Sequence, residues 1–373
     1  MPKLVKIVVQ DFRNIELQEL SFSPNINCIT GGNGEGKTNL LDAIWYLSMT
    51  RSAIVSSDRF NFRHGTKSFA ISGLYEMENG TKEKVSISVS REDTGNSKAE
   101  KKIRHGEKAC QRASSHIGML PIVMVSPSDT AMVSESGDER RRFTNAVLSQ
   151  MDREYLAGLQ EYNRILEQRN SLLRSGICDE TLMDTFEEKM ESCAIPLYEK
   201  RKAFTESLVP SVREFYEKIS GGREKVGIEY RSSLSEGSFK DELKARRAQD
   251  LALKYTTTGI HRDDFIFTMD GYPIRRCGSQ GQQKSFLVAL KFAQYEIMKE
   301  RYGFSPILLL DDLFDKLDMG RVANLLSMVA GNGFGQIFLS DSNKVRTEGI
   351  VDEITSDRTY YEAEGGVFTR MDE

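Results

Sequence analysis

The segment GGNGEGKT, Gly31 to Thr38, constrains the fold of this 373-residue chain more than any other stretch. It follows an apolar run, Ile26 to Thr30, and precedes a helical pattern from Asn39 to Leu47, so strand, glycine-rich loop and helix stand in that order. Such a loop gathers backbone N–H groups around an anion at the positive end of a helix dipole. Glycines are needed because the backbone must wrap close to phosphate oxygens at angles a Cβ would hinder. Lys37 can then reach the β- and γ-phosphates, and the Thr38 hydroxyl can ligate Mg²⁺. Gly31, Gly32, Asn33, Gly34, Glu35, Gly36, Lys37, Thr38 and Asn39 form the expected nucleotide-binding set, with ATP and Mg²⁺ as the ligand pair.

A loop of this kind needs a carboxylate at the end of a strand. Ile307-Leu308-Leu309-Leu310-Asp311-Asp312 supplies an apolar run ending in two acids. Asp311 is the expected metal ligand beside Thr38, and Asp312, one residue further out, can polarise an attacking water. Lys37, Asp311 and Asp312 are thus the candidate catalytic residues. Between the two halves lies Gly278-Ser279-Gln280-Gly281-Gln282-Gln283-Lys284, at the start of an amphipathic helix carrying Leu287, Leu290 and Phe292. Ser279, Gly281 and Gln282 offer exposed N–H groups and a hydroxyl that can grip a phosphate. Placed about 30 residues ahead of the Asp311 strand, this is the layout of an ABC-type ATPase.

Composition limits the partners. Lys and Arg total 51 against 55 Asp and Glu, a formal charge of −4, which excludes a globally basic nucleic-acid binder but not a local basic face. No apolar stretch reaches the 18 or more residues needed to cross a bilayer, and MPKLVKIVV turns polar too early for a signal peptide. A cytoplasmic location without membrane contact is expected. The five cysteines (Cys28, Cys110, Cys178, Cys193, Cys277) are scattered with no CxxC pair, which suits reduced thiols rather than disulfides or a structural zinc.

Residues 1–125 read mainly as strands, with Ala70 to Tyr75 and Val85 to Val89 joined by a turn at Glu78-Asn79-Gly80. Residues 126–250 turn helical. Leu159, Tyr162, Leu166 and Leu173 share one stripe and Phe186, Met190, Cys193 and Leu197 another, predicting two antiparallel helices joined near Ser175-Gly176, the second kinked or broken by Pro196 and Pro210. Strands resume in 251–373, where Phe265, Phe267 and Met269 alternate into an Asp270-Gly271 turn. The expected fold is therefore α/β: an ABC-type P-loop ATPase head split in sequence, with lobes 1–125 and 251–373 around a mainly helical inserted arm.

Several charged groups admit two readings. Lys98, Lys101, Lys102, Arg104, Lys108 and Arg112 form a basic stretch, either a solvated loop or a DNA contact. Arg13 and Arg51 bracket the P-loop unit as nucleotide contacts or as ordinary surface pairs; Arg13 is kept in the site set. Arg140 to Arg142 could meet phosphate backbone or form a helix-terminal charge cluster. Arg164, Arg169 and Arg174 could share a DNA-facing groove. His261 stands beside Arg262, Asp263 and Asp264, either a catalytic base or part of a structural hydrogen-bond network.

Taken together, Asp11-Phe12-Arg13-Asn14, GGNGEGKTNLLDAIWYLS, Arg51-Ser52, Glu139 to Phe143, Gln168 to Leu173, Gly259 to Asp264, SQGQQK and LLLDDLFDKLD resemble the RecF family, short-armed relatives of the SMC-type ATPases, over nearly the whole length. The resemblance implies an ATP-dependent homodimer in which Ser279, Gly281 and Gln282 of one protomer close over ATP held by the other, with Asp315 to Asp318 as the D-loop. It also implies binding of double-stranded or gapped DNA, slow hydrolysis, a RecR-containing mediator complex, and roles in DNA repair, replication restart and the SOS response. Ile260 replaces a family proline, Val125 to Asp129 departs from the family segment, and Leu339 to Asn343 carries no histidine, leaving γ-phosphate sensing to Asp341 or a neighbour. An ABC transporter ATPase subunit is the alternative; the DFRN opening, the SQGQQ signature and the missing switch histidine argue against it. A nuclease of the overcoming-lysogenisation type would need a further carboxylate-rich domain, for which no length remains.

Overall fold

Four apolar runs of the sequence become neighbouring parallel strands. In the computed structural model, Ile26–Thr30, Ile337–Asp341, Ile307–Asp311 and Ile122–Val125 lie side by side and are buried at every position. Burial on both faces is why these strands are continuous apolar runs rather than alternating ones. Residues 1–91, 99–135, 137–176, 179–314, 317–330, 333–344, 349, 351–352 and 355–371 are described. They divide into two compact units, one of Met1–Asp129 with Gln294–Glu373, the other Thr130–Ala293.

The first unit holds two six-stranded sheets. One runs in the order Ile15–Ser21, Lys3–Phe12, Ser68–Glu76, Lys82–Ser90, Glu100–His105, Lys108–Ala109, all antiparallel. The other extends the four parallel strands with Arg358–Glu364, also parallel, and an antiparallel edge strand Val367–Met371. Helix Lys37–Met49 packs against strands of both sheets. Its Leu40, Leu41, Ile44 and Leu47 are fully buried. The ring of Tyr46 meets Phe12 and Phe69 edge-on, at centroid distances of 6.1 and 5.5 Å. The helix ends on Thr50 in the left-handed region (φ 55°), whose carbonyl receives Lys101 Nζ at 2.6 Å, a cation at the negative end of the dipole.

That contact revises the loop expected at 92–112. Glu100–His105 and Lys108–Ala109 are strands; Lys98 lies outside the described residues. Only Ile103 of the longer strand is buried, so the alternation that marks a strand is reduced to one residue. Lys101 also pairs with Asp58 at 2.8 Å and Lys102 with Glu100 at 3.1 Å.

The second unit is built on two antiparallel helices, Arg153–Ser175 and Glu180–Ser220. Asp152 and Asp179 cap their N-termini by accepting from Tyr155 N and Leu182 N, both at 2.9 Å, and Gly176 ends the first at φ 70°. The longer helix runs 41 residues through Pro196 and Pro210, so the prolines do not break it. Packing outweighs the lost hydrogen bonds: Ala194, Leu197, Phe204, Leu208 and Val212 keep one buried face on either side of the prolines. A three-stranded sheet, Tyr272–Pro273, Asp264–Met269 and Val226–Arg231, completes the unit, with Asp270 and Gly271 both at positive φ in the expected turn.

Arg169 does not reach a ligand groove. It is fully buried on the stripe Tyr162, Ile165, Arg169, Leu173, its Nη1 bonded to Asp250 at 2.7 Å and Thr256 Oγ1 at 2.8 Å, its Nη2 to Glu187 at 3.3 Å. Arg201, equally buried, joins Asp263 at 2.6 Å, the Ile260 carbonyl at 2.6 Å and Tyr155 at 3.0 Å. Removing one member of such a pair leaves a buried charge uncompensated, which costs about 3–5 kcal/mol. We predict that Arg169→Ala lowers the stability of the helical unit by that amount, read as an earlier urea transition in far-UV ellipticity; a midpoint within error of the wild type would show the network to be dispensable.

Candidate nucleotide-binding site

The strand Ile26–Thr30 delivers the chain into a loop whose glycines are required by position. Gly31 has φ 147° and Gly36 φ 103°. A Cβ on Gly31 would stand 2.4 Å from the Ala363 carbonyl oxygen, and one on Gly36 2.8 Å from the Asn14 side chain. Lys37, 5% exposed, turns its ammonium back over the loop and donates to the carbonyls of Gly31 at 2.8 Å and Gly32 at 2.7 Å. An ammonium carries three N–H donors, so one remains for a phosphate oxygen.

Thr38 stands in the first turn of the helix, and its hydroxyl lies 3.0 Å from Asp311 Oδ1 and 2.9 Å from Oδ2. The parallel register sets Asp311 opposite Ser340, whose hydroxyl donates to Oδ1 at 2.5 Å. Burial raises the Asp311 carboxyl above its ordinary range, while the hydrogen bonds from Ser340 and Thr38 pull it back. A buried carboxylate beside a hydroxyl is an oxygen-only donor set of the kind Mg²⁺ takes, so these residues fit that ion. Asp312 leaves the strand at φ 44°, its N–H directed to the Ser340 carbonyl at 3.2 Å. Asp341, ending the next strand, accepts from Asn343 N at 2.8 Å.

Arg13 supports the loop from behind. Its guanidinium donates to Asp42 at 2.6 Å, to Asn39 and Ser52 at 2.9 Å and to Asn61 at 3.1 Å. Asp42 is completely buried; burial raises its carboxyl, and Arg13 opposes the rise. Asn39 in turn donates to Asn14 at 2.7 Å. From the other side the hairpin of Arg358–Glu364 and Val367–Met371 closes on Glu35: Gly365 N donates to its carboxylate and Gly366 N to its carbonyl at 2.9 Å. The sequence assigns no role to Asp42 or to the Gly365-Gly366 turn, and it marks Asn14 and Ser340 only as members of the DFRN and Leu339–Asn343 segments. Asp42 carried a signal, being a charge inside the apolar pattern Leu40, Leu41, Ala43, Ile44.

Lys37, Thr38, Asp311, Asp312 and Arg13 belong to the first unit, and Ser279, Gly281 and Gln282 to the second. Ser279 and Gln282 form a reciprocal cap on helix Gln280–Tyr302, Ser279 N to Gln282 Oε1 at 2.7 Å and Gln282 N to Ser279 Oγ at 3.3 Å, with Ser279 exposed. Asp315 and Lys316 of the expected D-loop lie outside the described residues. His261 takes the network role. Its Nε2 donates to the Thr256 carbonyl at 3.1 Å, Nδ1 accepts from the Tyr162 hydroxyl at 2.9 Å, and burial lowers its pKa to about 4. Arg140 is bidentate on Asp264 at 2.7 and 3.1 Å, and Arg142 pairs with Glu139 at 2.5 Å.

This arrangement has close counterparts. The family described as RecF/RecN/SMC N terminal domain matches residues 3–349. The chain is 41% identical over 372 residues to the DNA replication and repair protein RecF of Phocaeicola vulgatus, with 99% of each chain covered. It is 41% identical over 371 residues to the protein of the same name from Bacteroides fragilis, again covering 99% of each. A solved structure of the recombination mediator protein RecF-ATP in the RecFOR pathway superposes with a TM-score of 0.87 at 29% identity, covering 100% of this chain and 98% of that one. The Smc head domain from Pyrococcus furiosus, 15% identical with a TM-score of 0.57 over 100% of this chain and 96% of that one, shares the fold alone. An α/β ABC-type head with the P-loop, strand-end carboxylate and signature in these positions, matched end to end by these relatives, places the chain in the RecF family.

Proposed function

We propose that this chain is an ATP-dependent DNA-binding protein of recombinational repair and replication restart, in which slow ATP hydrolysis acts as a switch. The observation that carries the reading is the Thr38–Asp311 contact beneath the Lys37 ammonium, which gathers a phosphate-binding loop and a buried carboxylate at one point. The relatives named for DNA replication and repair, and the one solved with ATP, support it.

In this proposal residues 1–125 and 251–373 are the lobes of the head and 126–250 its arm. Gly31 to Asn39 cradle the triphosphate, and the third Lys37 donor meets the β- and γ-phosphate oxygens. Thr38 and Asp311 hold Mg²⁺, which when bound neutralises the charge that develops on the transferring phosphoryl group. Asp312, at the strand end, polarises the attacking water. Arg13, locked to Asp42 and Asn39, keeps the loop and its helix in register. Ser279, Gly281 and Gln282 of a second protomer close over the γ-phosphate through the capped helix terminus. Closure of the homodimer assembles the surface that takes double-stranded or gapped DNA, and a RecR-containing mediator complex uses that state to load recombinase. The setting is cytoplasmic; among the described residues no helix is long and apolar enough to cross a membrane.

Three measurements test this. Lys37→Met removes a charge-assisted contact worth about 1.5–3 kcal/mol, so the nucleotide concentration needed for dimerisation should rise roughly ten- to a hundredfold by light scattering with Mg-ATP; an unchanged dimer fraction counts against the ATP sandwich. Duplex DNA binding should require ATP and weaken steeply with salt, with a log–log slope of about −0.9 per phosphate contacted. Equal affinity with and without ATP at two salt concentrations would remove the switch. Mixing Ser279→Arg with Asp312→Asn protomers should recover activity, because each mixed dimer keeps one site with neither defect; no recovery would exclude composite sites.

A further inference from the structure

Ser340 is fully buried, stands outside the P-loop and signature sets, and touches both strand-end acids. Its hydroxyl oxygen lies 2.5 Å from Asp311 Oδ1, where it donates, and 3.3 Å from the Asp312 N–H, which it accepts. With one proton and no solvent access, the hydroxyl is held in a single direction by these two contacts. The Ser340 carbonyl also accepts the Asp312 N–H at 3.2 Å, so the left-handed exit of Asp312 (φ 44°) is anchored on the same residue.

The two oxygens of Asp311 are therefore unequal. Oδ1 has the short bond from Ser340 and a 3.0 Å approach of Thr38; Oδ2 has Thr38 alone, at 2.9 Å. If Thr38 turns its lone pairs to a cation, Oδ2 loses its hydrogen-bond partner while Oδ1 keeps Ser340. We infer that Ser340 is a positioning residue that holds Asp311 by Oδ1, so that Oδ2 is the oxygen presented to the metal and its water shell, and that it aligns Asp312 in the same step. The inference rests on the reading of Asp311 as the metal-holding carboxylate. Partners of this kind, which orient a ligand without touching the metal, typically contribute ten- to a hundredfold to metal affinity.

The test uses Mn²⁺ as the probe and the full-length chain loaded with a slowly hydrolysed ATP analogue, with free Mn²⁺ followed by electron paramagnetic resonance. Ser340→Ala should weaken Mn²⁺ binding roughly ten- to a hundredfold while nucleotide affinity in chelator stays at the wild-type value. Ser340→Thr, which restores the hydroxyl, should return Mn²⁺ affinity to within a fewfold of wild type. Wild-type Mn²⁺ affinity in Ser340→Ala would overturn the inference. So would an equal loss of nucleotide affinity in chelator, or a threonine variant that binds nucleotide but is as weak for Mn²⁺ as alanine, since either assigns the effect to packing. Asp311→Ala separates the premise from the inference: intact Mn²⁺ affinity there would refute the metal-holding role of Asp311 itself.

Discussion

The Thr38 hydroxyl meets the Asp311 carboxylate across 273 positions of sequence, and the arrangement of the first unit can be read outward from that contact. It requires the strand Ile26–Thr30 and the strand Ile307–Asp311 to end at one level, and it is the intervening strand Ile337–Asp341 that aligns them, pairing Thr30 with Asp341 and Asp311 with Ser340. All three strands are buried along their length, so polar chemistry has room only where they stop. That is the physical content of the rule that parallel sheets bind ligands beyond their carboxyl ends. A single-residue slip of the Ile307–Asp311 ladder would set Leu310 or Asp312 opposite Ser340 and turn Asp311 to the other face of the sheet, away from Thr38.

The second unit uses ionic groups differently. Arg169, Arg201 and Arg140 are each engaged with carboxylates inside the unit, at separations of 2.6 to 2.7 Å. Arg201 ties the longer helix to Ile260 and Asp263, Arg140 is held by Asp264, and Arg169 joins the shorter of the two long helices to Glu187 of the longer one and to Asp250, so none of the three is available to a phosphate backbone. Because each of these arginines is matched by a carboxylate, the pairs cancel within the net charge of −4. The DNA contact of the proposed function would therefore have to draw on other, exposed residues, which closure of the proposed homodimer would concentrate.

Local chemistry was legible before any coordinates. The P-loop, the Asp311 strand, the signature helix and both hairpin turns follow from residues adjacent in sequence, where φ requirements and periodicity act directly. What stayed hidden depends on contacts between distant segments. The helix through Pro196 and Pro210 persists because of a buried face that propensity does not register. Glu100–His105 is a strand because a neighbour offers it a ladder, although only Ile103 marks it as one. Arg169 looked like a surface cation because the Asp250 and Glu187 that neutralise it lie on other helices. It stands seven residues from Tyr162 and four from Ile165, which is the spacing of the buried face of that helix.

The glycine-rich loop is also less self-sufficient than its motif suggests. A Cβ at Gly31 would strike the Ala363 carbonyl, and one at Gly366 would come within 2.3 Å of the Asn14 carbonyl oxygen, so the C-terminal hairpin, the first strand's exit and the loop are packed backbone against backbone. Glu35 fastens this junction by accepting from Gly365 and Gly366, and Arg13 fastens its far side through Asn39 and Asp42. Backbones packed with no room for a Cβ between them leave little freedom for the loop to relax, which is the condition for N–H groups to stand ready around an anion without reorganising. The motif specifies which atoms can meet a phosphate; the C-terminal hairpin and the Arg13 network, remote in sequence from one another, determine that those atoms stay in place.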